Sequence, residues 1–450
     1  MMLPKQIGRS FSAMAIHSAV AIQVLIFVVL LFAGSALASG PFERVIYSFS
    51  SAGSGVGYGG LIADKAGNLY GAATYGNSSS CSCGSVFELS PPATSGGAWT
   101  ETTLYHFTGG VSDGANPFGT LIFDKQGNLY GTTQAGGANN TGTVFELSPP
   151  AISGGAWTES VLYIFPADQS QGDWPEGNLV FDSQGNLYGT ASTGGAGSSG
   201  NCFNGCGTLF ELTPPTTAGG TWTGSAIHSF GVTPGDGLQP ANNLIMQGGA
   251  IYGTTITGGT GNCTDGCGTV FQFVQTNGVW SENILFSFDS TGGAPVFPFG
   301  GVIFDPSGNM YGTTRQGGDV CPVSIYGTCG TVFELSPPAV SGNPWTLSTL
   351  YIFTGGTDGG SPYDTLVRDA SGNLYGTTNV GGLRNKTTSK GTVFELSPPA
   401  VSGGAWTETT LHRFGTSNGD GSNPLTGLLR FHGVLFGTTI GGSDVFEVVP

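Results

Sequence analysis

Short apolar and β-branched runs, separated by glycine-rich polar links, recur along the chain in groups of four. In one such group Gly119–Asp124 is a brief apolar run and Asn128–Thr133 is the next. Gly142–Ser148, reading Gly-Thr-Val-Phe-Glu-Leu-Ser, is the third, and Trp157–Phe165 is the fourth. All have strand length and β-rich composition, and none has a helical period. In Val-Phe-Glu-Leu, Phe and Leu share one face of the strand and Val and Glu the other.

The group repeats. Gly-Asn-Leu-Tyr-Gly-Thr-Thr or a close variant starts at Gly67, Gly127, Gly185, Gly308 and Gly372, with degenerate copies at Ala250 and Val434. The anchoring aromatics are Tyr70, Tyr130, Tyr188, Tyr252, Tyr311, Tyr375 and Phe436, spaced 58 to 64 residues apart. Seven copies fill the chain from about residue 39 to residue 450, which is expected to form one repeat domain. The joints are as regular as the runs. Asp-x-x-Gly-Asn at Asp64, Asp124, Asp182, Asp305 and Asp369 reads as a tight turn. Pro-Pro after the third run stops the strand.

Four antiparallel strands per period, seven times over, predict an all-β, seven-bladed β-propeller. A solenoid would need distinct capping repeats, and the terminal copies resemble the middle ones. The phase predicts how the ring closes. Phe42–Phe49 matches a fourth run and Asp444–Val449 a third, so the N-terminal strand is expected to complete the C-terminal blade. This phasing takes the Leu-Ile-x-Asp run as innermost; the tandem match alone also allows blades phased from Phe42.

Composition narrows the function classes. The 29 Phe, 14 Tyr and 7 Trp supply a core despite 80 Gly and 25 Pro, which excludes a disordered chain. A net charge of −16 argues against nucleic acid as a partner and against anionic lipid. Lys5 and Arg9, the apolar run Ala19–Ala33 and Ala36-Leu37-Ala38 read as a signal peptide over residues 1–38. The mature chain is then expected to be secreted or at the cell surface, with the periplasm as an alternative, and to have no membrane span. Four local cysteine pairs suit that setting as disulfides: Cys81 with Cys83, Cys202 with Cys206, Cys263 with Cys267, and Cys321 with Cys329.

The phrase Gly-Asn-Leu-Tyr-Gly-Thr-Thr … Gly-Thr-Val-Phe-Glu-Leu-Ser-Pro-Pro resembles the Gloeobacter/Verrucomicrobia tandem repeat. This resemblance implies an exported bacterial protein of a group whose surface anchors vary. It carries no catalytic motif over to these residues. The turn and second strand are also similar to a phrase found in sensor and lyase-like propellers.

Candidate site residues divide into repeated and irregular ones. Asp113, Asp173, Asp236, Asp358 and Asp420 lie between blades, each shortly before a proline. They read either as structural turns or as a carboxylate ring on one ring face that contacts a cation or polar ligand. Glu88, Glu146, Glu211, Glu334, Glu395 and Glu447 recur on the third run and need donors, for which backbone amides or the Thr-Thr hydroxyls are expected. Trp99, Trp157, Trp222, Trp280, Trp345 and Trp406 open fourth runs and read as blade packing. His106, His228 and His412 are taken as one repeat position, too dispersed to share zinc. No nucleophile elbow, cofactor motif or metal set is expected.

Two functional classes follow. The first is a non-catalytic binding or scaffold module for a polysaccharide or an envelope protein. The second is a secreted propeller enzyme of the lyase or hydrolase type. It would be built from residues that break the repeat: Arg315, Arg368, Arg384, Lys386, Arg413, Arg430 and His432. Convergence of His432 with an arginine and a carboxylate would favour the enzyme, and scatter would favour the binding module.

Overall fold

In a computed structural model, the runs of each repeat pair into one antiparallel sheet, and seven sheets form the blades of a β-propeller. The structure describes residues 41–450 except 50–54, 57, 77–80, 95, 153, 198–201, 203, 218, 242, 319–328, 341, 383–389, 402 and 417–418. The expected signal segment, Cys321, Arg384 and Lys386 therefore lie outside the described residues.

Blade 2 shows the construction. Gly114–Pro117 and Ile122–Phe123 both pair with Leu129–Gly136, which pairs with Thr143–Ser148, and Thr158–Ile164 is outermost. The Asp124 turn aims its carboxylate inward. Oδ1 accepts from the backbone N–H of Gln126 and Asn128, at 2.8 and 2.9 Å. Oδ2 accepts from the Asn128 amide and the Tyr130 hydroxyl, at 2.8 and 3.3 Å. The same four bonds hold the turns at Asp64, Asp182, Asp305 and Asp369. Where the aspartate is missing, in blades 4 and 7, two residues of positive φ make the hairpin instead: Gly248 with Gly249, and His432 with Gly433.

The rest of the phrase is equally structural. A Cβ on Gly131 would sit 2.7 Å from Phe145 Cζ, so only glycine fits beneath that ring. Thr132 donates to the carbonyl of Gly177 in the next blade at 3.2 Å, and Thr133 bonds Thr143 of the adjoining strand at 2.8 Å. The third-run glutamates find donors other than those expected. Ser148, two residues on, donates to Glu146 at 3.1 Å, and Tyr188, across the ladder, donates to Glu211 at 2.7 Å.

Apolar side chains from neighbouring blades interdigitate. Tyr130, Val144 and Phe165 of blade 2 share a core with Leu179, Leu187, Phe210 and Leu212 of blade 3. Each buried aromatic or leucine contributes roughly 1.5–3 kcal/mol. The tryptophans seal the seams: Trp157 packs on Tyr70, Trp280 on Tyr188 and Trp406 on Tyr311, each ring belonging to the preceding blade.

Closure follows the predicted phase. The outer strand of blade 7 is Phe42–Ser48, hydrogen-bonded to Asp444–Val449. Phe49 N–H donates to the Ser443 carbonyl at 3.0 Å, and Arg44 pairs with Glu447 at 2.9 Å.

The innermost strand differs from the expected single Leu-Ile-x-Asp run. It is split, with the Pro117-bearing segment forming its first half. Proline is tolerated there because no strand lies beyond it toward the axis. The residue before each inner proline takes a left-handed conformation: Asn116, Trp174, Gln239, Phe297, Ser361 and Asn423, with φ between 52 and 60°. Such a backbone is strained for a side-chain-bearing residue and needs outside support. The preceding blade supplies it. The N–H groups of Asn116, Gln239, Phe297 and Ser361 donate to the carbonyls of Cys83, Cys206, Cys267 and Cys329, at 2.6 to 2.9 Å. Disulfides Cys81–Cys83, Cys202–Cys206 and Cys263–Cys267 form as paired in the sequence, and Cys329 is also disulfide-bonded. The cysteine pairs thus sit on the seam between blades.

Candidate ligand site on the ring axis

Directly after each inner proline, or after Gly57 in blade 1, the chain turns at the axis. One residue per blade stands at that place: Tyr58, Phe118, Glu176, Ala241, Phe299, Tyr363 and Leu425. Together they line a cavity of about 140 Å³. The positions are equivalent, yet their side chains vary (two Tyr, two Phe, one Glu, one Ala and one Leu), whereas the blade residues around them repeat.

Two aromatic pairs dominate the lining. Tyr58 stacks on Phe118 with centroids 4.5 Å apart and planes 8° from parallel, and Phe299 lies 4.7 Å from Tyr363. All four rings are partly exposed. The Arg315 guanidinium stands over Phe299 and Tyr363, at 5.2 and 5.7 Å from their centroids. Glu176 accepts from Gln134 at 2.6 Å, while burial pushes its carboxyl above the usual range. Burial also raises the Tyr58 and Tyr363 hydroxyls, so both remain neutral donors.

The floor is backbone and short polar side chains. Gly60 N–H donates to Thr120, and Gly301 N–H to Thr365, at 2.7 and 2.9 Å. Asp364 of blade 6 accepts from Asn243 of blade 4 and from Gly427 N–H of blade 7. A Cβ on Gly119 would meet the Gly177 carbonyl oxygen at 2.3 Å. Successive blades therefore meet backbone to backbone below the cavity. The floor is rigid, and the lining above it is free to differ.

The aspartates nominated from the sequence are placed elsewhere. Asp113, Asp173, Asp236, Asp358 and Asp420 are only 5 to 8 % exposed, and none lines the axial cavity. They hold the links between blades. Asp113 accepts from Thr108 N–H at 2.7 Å, from its hydroxyl at 2.6 Å and from Tyr105 at 3.2 Å. Asp358 is held the same way by Thr354 and Tyr351. Asp173 differs, bonding Gln169 and its neighbour's N–H. Of the five, Asp236 alone lines a described cavity, a surface depression away from the axis.

The histidines also need correction. Tyr105, not His106, shares the register position of His228 and His412, opposite the first valine or leucine of the third strand. The basic residues scatter. Arg413 donates to the Thr357 carbonyl at 2.9 Å, Arg430 lies on the Leu429–Phe431 strand, and His432 turns the following hairpin. Among the described residues, Arg315 alone of that group lines up with the axial cavity, and no histidine joins it there. The axial residues escaped the sequence reading because no one residue type recurs through all seven. Their one signal is position: immediately after the inner proline.

Fold and site together define a seven-bladed β-propeller with an aromatic-walled axial cavity. Residues 35–205 match the Gloeobacter/Verrucomicrobia repeat, in agreement with the phrase that resembles it. Among solved structures, a luciferin-regenerating enzyme is similar at 16 % identity and a TM-score of 0.42, covering 81 % of this chain and 98 % of its own. A search of curated proteins finds no match. No helix among the described residues is long and apolar enough to cross a membrane.

Proposed function

We propose that this propeller is an exported, non-catalytic binding module whose axial cavity seats one sugar residue of a glycan. The observation that carries the reading is the pairing of flat aromatic walls with a polar, partly charged rim. Tyr58, Phe118, Phe299 and Tyr363 line the cavity with aromatic surface suited to the C–H surface of a pyranose. Glu176, Ser192 and Asn243 on the cavity wall offer hydrogen-bonding atoms to hydroxyls, with Arg315 beside the aromatic pair. Concave sites with apolar walls and a few convergent polar groups are the usual form of small-ligand pockets. Export rests on the signal segment and on the disulfides.

Titration calorimetry against neutral and acidic oligosaccharides tests the reading. Binding is expected for at least one class, with Tyr58→Ala and Tyr363→Ala each weakening it at least tenfold. Absence of binding across the panel, or affinity unchanged in both variants, overturns it.

A further inference from the structure

Four blade seams share one polar arrangement, and two of them differ in a way that matters chemically. At each, a fourth-strand residue of one blade faces the link aspartate and a glutamate from the next blade. The sets are Tyr105, Asp113 and Glu159; His228, Asp236 and Glu282; Tyr351, Asp358 and Glu408; and His412, Asp420 and Glu43. In the tyrosine seams the phenol donates to the aspartate, at 3.2 and 3.1 Å. A phenol suffices there, so the seam itself does not require an imidazole.

We propose that the His228 seam binds a divalent transition cation of the zinc class, held by one imidazole nitrogen and two carboxylates. In each histidine trio, one ligand atom per residue lies within 4.8 Å of the others. His228 Nε2 is 3.3 Å from Asp236 Oδ2 and 3.6 Å from Glu282 Oε2. Tetrahedral zinc, with bonds of about 2.0–2.2 Å, sets its ligand atoms roughly 3.3–3.6 Å apart. The His412 seam does not meet this geometry: its Nε2 is hydrogen-bonded to Asp420 Oδ1 at 2.9 Å, and Asp420 Oδ2 accepts from Thr416 N–H at 3.0 Å.

A second observation at the first trio points to a missing partner. The Asp236 side chain is wholly buried, yet its Oδ1 has no hydrogen-bond partner. The same holds for Nε2 of His228 and Oε1 of Glu282. Asp113 Oδ1 and Glu159 Oε1 are likewise unpartnered at a tyrosine seam, so what sets this trio apart is a buried imidazole nitrogen without a hydrogen bond between two carboxylates. One dication neutralises both carboxylates and takes the imidazole lone pair. Imidazole with carboxylates favours zinc-like ions over calcium or magnesium, which prefer all-oxygen sets. Asp236 also lines, with Asp265, a surface depression of about 380 Å³.

Because its ligands come from two blades, the ion would clip the blade of His228 to that of Glu282. The test uses the untagged, chelator-stripped chain, dialysed against micromolar Zn²⁺ and measured for bound metal, with Co²⁺ loading as a spectroscopic check. One equivalent is expected, with tetrahedral Co²⁺ absorption. H228Y installs the residue that other seams carry natively, so it is expected to fold, and it should lose that equivalent; H412Y should keep it. An unchanged stoichiometry in H228Y, or failure of the wild-type chain to retain any zinc, overturns the assignment. Circular dichroism of the variants separates metal loss from misfolding, and Asp236→Asn provides a second, independent substitution.

Discussion

Gly131→Ala isolates how tightly a blade is packed. The backbone at Gly131 is not left-handed, so alanine meets no conformational barrier and the effect is steric. The new methyl would lie 2.7 Å from Phe145 Cζ and 2.8 Å from Leu121 Cδ2. Carbon pairs prefer about 3.5–4.0 Å, so close to 1 Å must be found by movement. Phe145 and Leu121 are 0 and 1 % exposed, so neither can swing into solvent. Overpacking of this kind costs about 1–3 kcal/mol, less roughly 0.4–1 kcal/mol recovered from the stiffer unfolded chain. With an unfolding entropy of about 2.1 cal/mol/K per residue over some 400 residues, a net ~1–2 kcal/mol lowers Tm by only ~1–2 °C. A triple variant in alternate blades, G131A/G253A/G376A, should therefore fall by ~4–6 °C, since separated sites add. Differential scanning calorimetry reads this directly. The decisive arm is a double-mutant cycle with F145L, which removes the clashing atom. The G131A penalty should shrink by at least half in that background. An additive cycle, or a triple variant as stable as the parent, would refute the packing argument.

Two further outcomes can be checked. Burial and the facing Asp113 push the Glu159 carboxyl from its usual 4.5 up to about 7, so the folded chain keeps a proton that the unfolded chain releases. Stability should then decline as pH rises between those values, and Glu159→Gln should flatten that decline in chemical denaturation; an identical slope in the variant would count against the reading. Deleting residues 43–49 should accelerate hydrogen exchange across Asp444–Val449 before any other strand, and faster exchange confined to Leu69–Tyr75 would contradict the observed closure.

Local chemistry made much of the fold legible. The Asp124 turn, the strand runs, the cysteine pairs and the phase of the two termini each depend on residues a few positions apart, and each repeats. The inner strand was half missed because Gly114 and Pro117 look like breakers, and only closure around an axis gives proline an edge to occupy. The histidine seams were illegible for another reason. His228 and Glu282 stand on different blades, and no local pattern ties them. The axial cavity is the extreme case. Tyr58, Glu176 and Leu425 share nothing but the radius at which the ring sets them, and radius has no signature in a linear sequence.

Separating a constant floor from a varied lining has an evolutionary consequence. Each blade contributes a single letter to a seven-letter word written around the axis, and outside the two aromatic pairs, Tyr58 with Phe118 and Phe299 with Tyr363, a letter can change with its blade left intact. A point mutation at Ala241 or Leu425 rewrites the cavity lining while the turn, ladder and seam bonds of that blade stay in place. Tandem duplication thus produces more than seven supports: it yields independently addressable axial positions, so that new specificities are reachable in single steps without first passing through a damaged fold.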